Sequence, residues 1–151
     1  MGKDSASFVA GKLNQAIKER GFANLVLGTG ASQYPLLDVL LKKEVDWSKI
    51  TLFHLDEYIG LSDQHPASFR KFLKERITEK IHPKEVCYLK GDADDIGAEI
   101  KRYEKLLKDN PVDVACIGIG ENGHIAFNDP AVADFNDPEY LKVVEMDEAC
   151  R

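Results

Sequence analysis

The run "ANLVLGTG", Ala23 to Gly30, decides how the chain folds. Its apolar residues are continuous instead of alternating, and glycines close it. That is the pattern of a strand buried on both faces of a parallel sheet. Before it, Phe8, Val9, Leu13, Ala16 and Ile17 recur at helical spacing over 5–20, and Gly21 stops the run. After it, Leu36, Leu37, Val39, Leu40 and Leu41 lead to "KKE", with Ser32 expected to cap the helix and Pro35 tolerated in its first turn.

The alternation continues along the chain. "KITLFHLDEY" gives a second strand, Pro66 to about Glu79 a helix through Phe69, Phe72, Leu73 and Ile77, and "EVCYL" a third strand. Residues 95–109 form a long helix through Ile96, Ile100, Tyr103, Leu106 and Leu107, and "VDVACIGIG" is a fourth strand. Such alternation predicts an α/β fold, an open and mostly parallel sheet with helices on both faces in a Rossmann-like three-layer arrangement. "YLKVVEMDEACR" begins like a further strand and stops at Arg151, so the sheet is expected to be incomplete at its C-terminal end and the chain truncated. No repeat, low-complexity tract or linker interrupts the pattern, and residues 1–151 read as a single domain.

Bulk properties narrow the function. A chain that is 44% hydrophobic and 30% charged has the composition of an ordinary globular protein. A net charge of -6 argues against nucleic acid, whose phosphate backbone is bound by clustered cations. Apolar runs such as "VACIGI" are far shorter than a membrane span, and "MGKDSASFVAGKL" lacks an apolar signal core, so no membrane association and a cytoplasmic location are expected. Cys87, Cys116 and Cys150 form no CxxC pair, which suggests neither a disulfide framework nor a zinc ribbon.

In open parallel sheets, ligands bind beyond the carboxyl ends of the strands. The polar, glycine-rich stretches all fall there. "GTGAS" after the first strand offers backbone N–H groups and the Thr29 and Ser32 hydroxyls to an anion, although a tight strand-to-helix turn explains it equally well. "HLDEYIGL" places Asp56 beside Glu57, and neighbours on extended chain point opposite ways, so only one is expected to face a pocket. Two acids at a loop ordinarily face water. His54 is read as a core residue with a satisfied ring, and His65 as a packing or capping residue near Pro66. "GIGENGHIAFNDP", Gly118 to Pro130, contains an Asn-Gly turn signal, but its flanks do not alternate as hairpin strands should. It reads better as a site in which Asn122 and Asp129 can orient His124. Metal binding is the weaker alternative, since no HxH or HExxH spacing is present.

Taken in order, "TGAS", "DEYIGL", "HPASF" and "GHIAFNDP" resemble the glucosamine-6-phosphate deaminase/isomerase family, of which 6-phosphogluconolactonase is a related branch. The deaminase pattern has a Thr-Gly-Gly-Thr/Ser phosphate loop, "DEYxGL", "HPxSY" and "GHIAFNEP", whereas the lactonase branch has "DER" and "GHTASLFP". The resemblance runs from about Leu25 to Asp147. It implies that Thr29, Gly30, Ala31 and Ser32 grip a sugar phosphate and that Gly118 and Gly120 let substrate approach the backbone. It also implies that Asp56 is the base for enolisation, that His124 opens the sugar ring, and that Asn122 and Asp129 orient and charge that histidine.

A small-molecule sugar phosphate is then the implied partner, with no metal and no organic cofactor, and the full-length form is expected to be a homo-oligomer. Lactone hydrolysis and non-catalytic sugar-phosphate binding are the alternatives. Ala31 and Gln33 stand where the family pattern has glycine and proline, and Asn122 where some members carry aspartate. Asp129 replaces glutamate and is shorter by about 1.5 Å, so a direct bond to His124 requires the loop to move inward.

Overall fold

The computed structural model describes residues 2–120 and 123–146. Four parallel strands, β1 (Ala23–Leu27), β2 (Ile50–His54), β3 (Glu85–Cys87) and β4 (Val114–Cys116), form one sheet in the order β3-β2-β1-β4. In register, Leu25 lies beside Leu52 on one side and Val114 on the other. Every residue of β1 and β2 is buried, which is why both read as unbroken apolar runs.

Helices α1 (Gly2–Arg20), α2 (Tyr34–Leu40) and α3 (Phe69–Leu73) share one core, in which Leu13, Leu37, Leu40 and Leu73 meet Leu25, Leu27 and Leu52. Helix α4 (Ile96–Asp109) covers the other face, where Tyr103 packs with Val26, Phe53 and Cys87. The strand order explains this division. β1 to β2 and β2 to β3 step one way across the sheet, whereas β3 to β4 returns past β1. Parallel crossovers keep a single hand, so the helix of the reversed step lies on the opposite face.

Several boundaries differ from the sequence reading. Ser32 does not cap α2: residues Ala31–Gln33 form a 3-10 turn, and α2 starts at Tyr34 with Pro35 in its first turn. The helix expected from Pro66 begins at Phe69, because Ser68 is its cap and accepts a hydrogen bond from Lys71 N. It then continues as a π-helical turn over Lys74–Thr78. The strand expected from Tyr140 onward is absent through Met146, and residues 147–151 lie outside the described residues.

Tyr103 ties α4 to the sheet at the point that matters for the site. Its hydroxyl accepts from His54 N at 2.7 Å and lies 2.8 Å from His54 O and 2.9 Å from Cys87 O. One buried phenol thereby joins the ends of β2 and β3 just before the chain enters the 55–61 loop.

Candidate active site

Between β1 and β4 the strand order reverses, and the loops after β2, β1 and β4 leave the sheet side by side. Gly28 N donates to Cys116 O at 2.8 Å and Leu55 N to Leu27 O at 3.2 Å. Strand spacing puts the three exits within about 10 Å of one another. This is the switch point at which open α/β sheets bind ligands.

The 29–32 loop meets the end of β4 there. A Cβ built on Gly118 would lie 3.2 Å from Ser32 Oγ. Thr29 is partly buried, and Gly30, Ala31 and Ser32 are exposed. Ser32 and Gly118 are thus neighbours across the switch point, with Thr29, Gly30 and Ala31 on the same loop as Ser32.

Asp56 and Glu57 part company as alternation requires. Glu57 has a side chain only 1% exposed, and its carboxylate accepts from Tyr58 N, Phe69 N, Arg70 N and Ser68 Oγ at 2.9–3.1 Å. It caps the start of α3, which joins "DEY" to "HPASF". Asp56 has no such claim on it. Its Oδ1 is enclosed and has no hydrogen-bond partner. Burial first, and the charge of Glu57 second, push Asp56 from the ordinary 3.8 to about 6, with His124 pulling the other way.

His124 stands across from a second acid. Its Nδ1 lies 3.0 Å from Asp129 Oδ1, and Asp129 is 2% exposed. The shorter aspartate therefore reaches the ring. Ile119 and Ile125 form an antiparallel bridge, Gly120 N donates to His124 O at 2.9 Å, and Ile125 bridges again to Asn128. The described residues of this segment are joined by single bridges, without the paired strands of a hairpin. Gly120 makes room for the histidine itself: a Cβ there would lie 2.2 Å from His124 Cε1, so the imidazole packs directly against this glycine. Asn122 lies outside the described residues.

The two remaining histidines of the second loop are structural. His65 Nδ1 accepts from Ala67 N at 3.1 Å, a cap at the start of its turn. His54 is buried, and its Nδ1 accepts from Leu89 N at 3.4 Å, but its Nε2 has no partner, so the ring is only half satisfied. Burial lowers His54 to about 4, against the pull of Glu57, which keeps it neutral.

Other supports carried no obvious sequence signal. The rings of Tyr58, Phe69 and Phe127 cluster, with centroids 4.9–5.9 Å apart, and bind the third loop to the second. Gly91 lies so close to the 55–61 loop that a Cβ would fall 2.1 Å from Tyr58 O. A cleft of about 660 Å³ borders Asp56, and its mainly apolar lining comes from the 55–59 and 123–128 loops, the 89–91 segment, the start of α4 and the 133–146 segment. His124 and the 29–32 loop are not part of that lining, so the polar groups define the site better than this cleft does. Among the described residues no cluster of three His, Cys, Asp or Glu side chains could hold a metal, and no helix is long and apolar enough to cross a membrane.

Comparison with known proteins gives the family. The model of the glucosamine-6-phosphate isomerases/6-phosphogluconolactonase family matches residues 1–137. The chain belongs to this family. A glucosamine-6-phosphate deaminase from Exiguobacterium sp. is 44% identical over 121 residues, 78% of this chain and 48% of that protein. One from Bacillus cereus is 35% identical over 139 residues, 92% of this chain and 52% of that protein. The chain thus spans about half the length of the curated relatives it matches. Among solved structures, a monomeric glucosamine-6-phosphate deaminase has a TM-score of 0.83 at 30% identity, over 97% of this chain and 61% of that one. A 6-phosphogluconolactonase from Shewanella baltica has a TM-score of 0.70 at 25% identity, over 82% of this chain and 54% of that one.

Proposed function

We propose that the protein acts as a glucosamine-6-phosphate deaminase, converting glucosamine 6-phosphate to fructose 6-phosphate and ammonia. The observation that carries this reading is Asp56: an enclosed carboxylate oxygen without a protein partner, held near 6, at the same switch point as the His124–Asp129 pair. A general base works best when its pKa lies near the working pH.

The residues then divide the chemistry. The 29–32 loop holds the phosphate beside Gly118. With Nδ1 directed at Asp129, Nε2 is the ring nitrogen left to exchange protons with substrate. Nε2 can take the anomeric hydroxyl proton and return it to the ring oxygen, which opens the pyranose. Asp56 removes the C2 proton, giving an enolamine, and delivers a proton to C1. The resulting C2 imine takes up water and releases ammonia, leaving the ketose. Asn122 belongs to this set as a second group orienting His124.

Incubation with glucosamine 6-phosphate, following ammonia and fructose 6-phosphate together, tests the proposal. Turnover that survives Asp56→Asn would sink the base assignment. The likeness to a 6-phosphogluconolactonase structure favours a second reading, lactone hydrolysis with His124 activating water and Asp56 incidental. Lactonase activity without deaminase activity would select it, and tight sugar-phosphate binding in calorimetry without turnover would mark a sensor. A cytoplasmic setting and a homo-oligomer complete the proposal. The matched solved deaminase is monomeric, so sedimentation decides the assembly.

A further inference from the structure

We propose that Glu57 is the positioning residue for Asp56: by gathering the first donors of α3 onto one buried carboxylate, it fixes the backbone from which Asp56 is aimed. The inference rests on the reading of Asp56 as the base. Oε1 accepts from Tyr58 N at 2.9 Å and Phe69 N at 3.1 Å, while Oε2 accepts from Ser68 Oγ and Arg70 N, each at 2.9 Å. These donors lie on both sides of the 59–67 loop, so one side chain closes that loop onto the residue directly after Asp56.

Arg70 completes the anchor. Its guanidinium lies 3.6 Å from Glu57 Oε2, donates to Leu61 O at 2.9 Å and pairs with Asp92 at 2.9 Å. A carboxylate held by so many donors is not available to rotate into the pocket. Asp56 alone is left to face substrate. The groups acting on Asp56 are Glu57 on its own loop and His124 from the loop after β4, and Tyr58 in turn feels Asp56. Those acting around Glu57 are Arg70 from α3 and His54 from β2, with Asp92 reached through Arg70. The negative charge of Glu57 adds to burial in making Asp56 a stronger base.

Carboxyl-carbon NMR of Asp56, amide exchange in the first turn of α3, and kcat and KM with glucosamine 6-phosphate, each in wild type and Glu57→Gln, test the proposal. Glu57→Gln removes the charge and one acceptor. The Asp56 midpoint is expected to move from about 6 toward the ordinary 3.8. The value of kcat should fall on the order of tenfold to a hundredfold, with KM within about twofold, since misaiming a base costs the chemical step. A folded Glu57→Gln protein with unchanged midpoint and kcat overturns the inference. Ser68→Ala, which removes one donor but keeps the charge, guards against a variant that does not fold. It should quicken exchange at Phe69 and Arg70 and lower kcat several-fold with the Asp56 midpoint unmoved, and a wild-type kcat there overturns the proposal equally. Should wild type turn nothing over while the Glu57→Gln midpoint still shifts, the deaminase reading fails and the coupling of Glu57 to Asp56 stands.

Discussion

His124 Nδ1 and Asp129 Oδ1 lie 3.0 Å apart although Asp129 is one carbon shorter than the glutamate of the family pattern. The shorter side chain still reaches the ring, and single bridges join Ile125, next to His124, to Ile119 and to Asn128, next to Asp129. Asp129→Asn keeps the shape but removes the charge that supports a protonated imidazole. Deaminase kcat is expected to fall on the order of a hundredfold, the lower range for loss of a positioned proton-transfer group. Circular dichroism should stay unchanged. An activity within twofold of wild type would show that the pair is merely structural.

Asp56 gives a pH dependence with two signs. As a base it must be ionised, so kcat/KM is expected to fall as pH drops through about 6. Stability runs the other way. The folded value lies above the ordinary 3.8, so the folded state binds the proton more tightly, and this group's contribution to stability rises as pH falls from about 6 to about 4. At about 1.4 kcal/mol for each pH unit between the two values, the cost of the ionised carboxylate at neutral pH is on the order of 3 kcal/mol. Asp56→Asn is therefore expected to melt higher than wild type at pH 7 while losing turnover. Equal melting temperatures at pH 7 would mean that Asp56 is well solvated.

Strands and helices were legible because burial on two faces leaves its mark in the residues themselves. "ANLVL" and "ITLFH" are continuous runs, and Tyr103 falls on the apolar stripe of α4. Position after a strand end pointed to the loops that carry Asp56 and His124, whereas the choice of Asp56 over Glu57 came from the resemblance of "DEYIGL" to the family pattern. What was hidden depended on contacts between distant segments. Nothing local says that Glu57 would cap a helix beginning at Phe69, or that the space of Gly120 would be filled by a ring four residues on. The cap at Ser32 failed for a related reason: a 3-10 turn that brings the loop toward Gly118 displaces the helix start to Tyr34.

Tyr103 offers a test of the scaffold apart from the chemistry. It is 1% exposed, and its hydroxyl is the partner of His54 N and lies within bonding reach of two carbonyls. Tyr103→Phe keeps the ring but leaves these groups unsatisfied, which costs about 1–3 kcal/mol. For a chain of this size each kcal/mol lowers Tm by about 2–4 °C. Calorimetry should register the loss. A Tm unchanged within 1 °C, taken as roughly the noise of the method, would show that water or the strand ladder replaces the phenol.

Gly120 separates site geometry from fold most directly. Alanine there would place a Cβ 2.2 Å from Cε1 and 2.5 Å from both nitrogens of His124. The ring is the end of a rotatable side chain, so it can swing aside at little cost to the fold. Doing so takes Nδ1 away from Asp129. Gly120→Ala is therefore expected to lose catalysis nearly as completely as His124→Ala while melting within a few degrees of wild type. Because the imidazole has already left its place, adding Asp129→Asn to Gly120→Ala should lower kcat little further, a non-additive pairing expected of residues that act through one group. Measuring kcat for the two single variants and the double variant decides it. Full multiplication of the two losses would mean that Gly120 acts on substrate and not through His124.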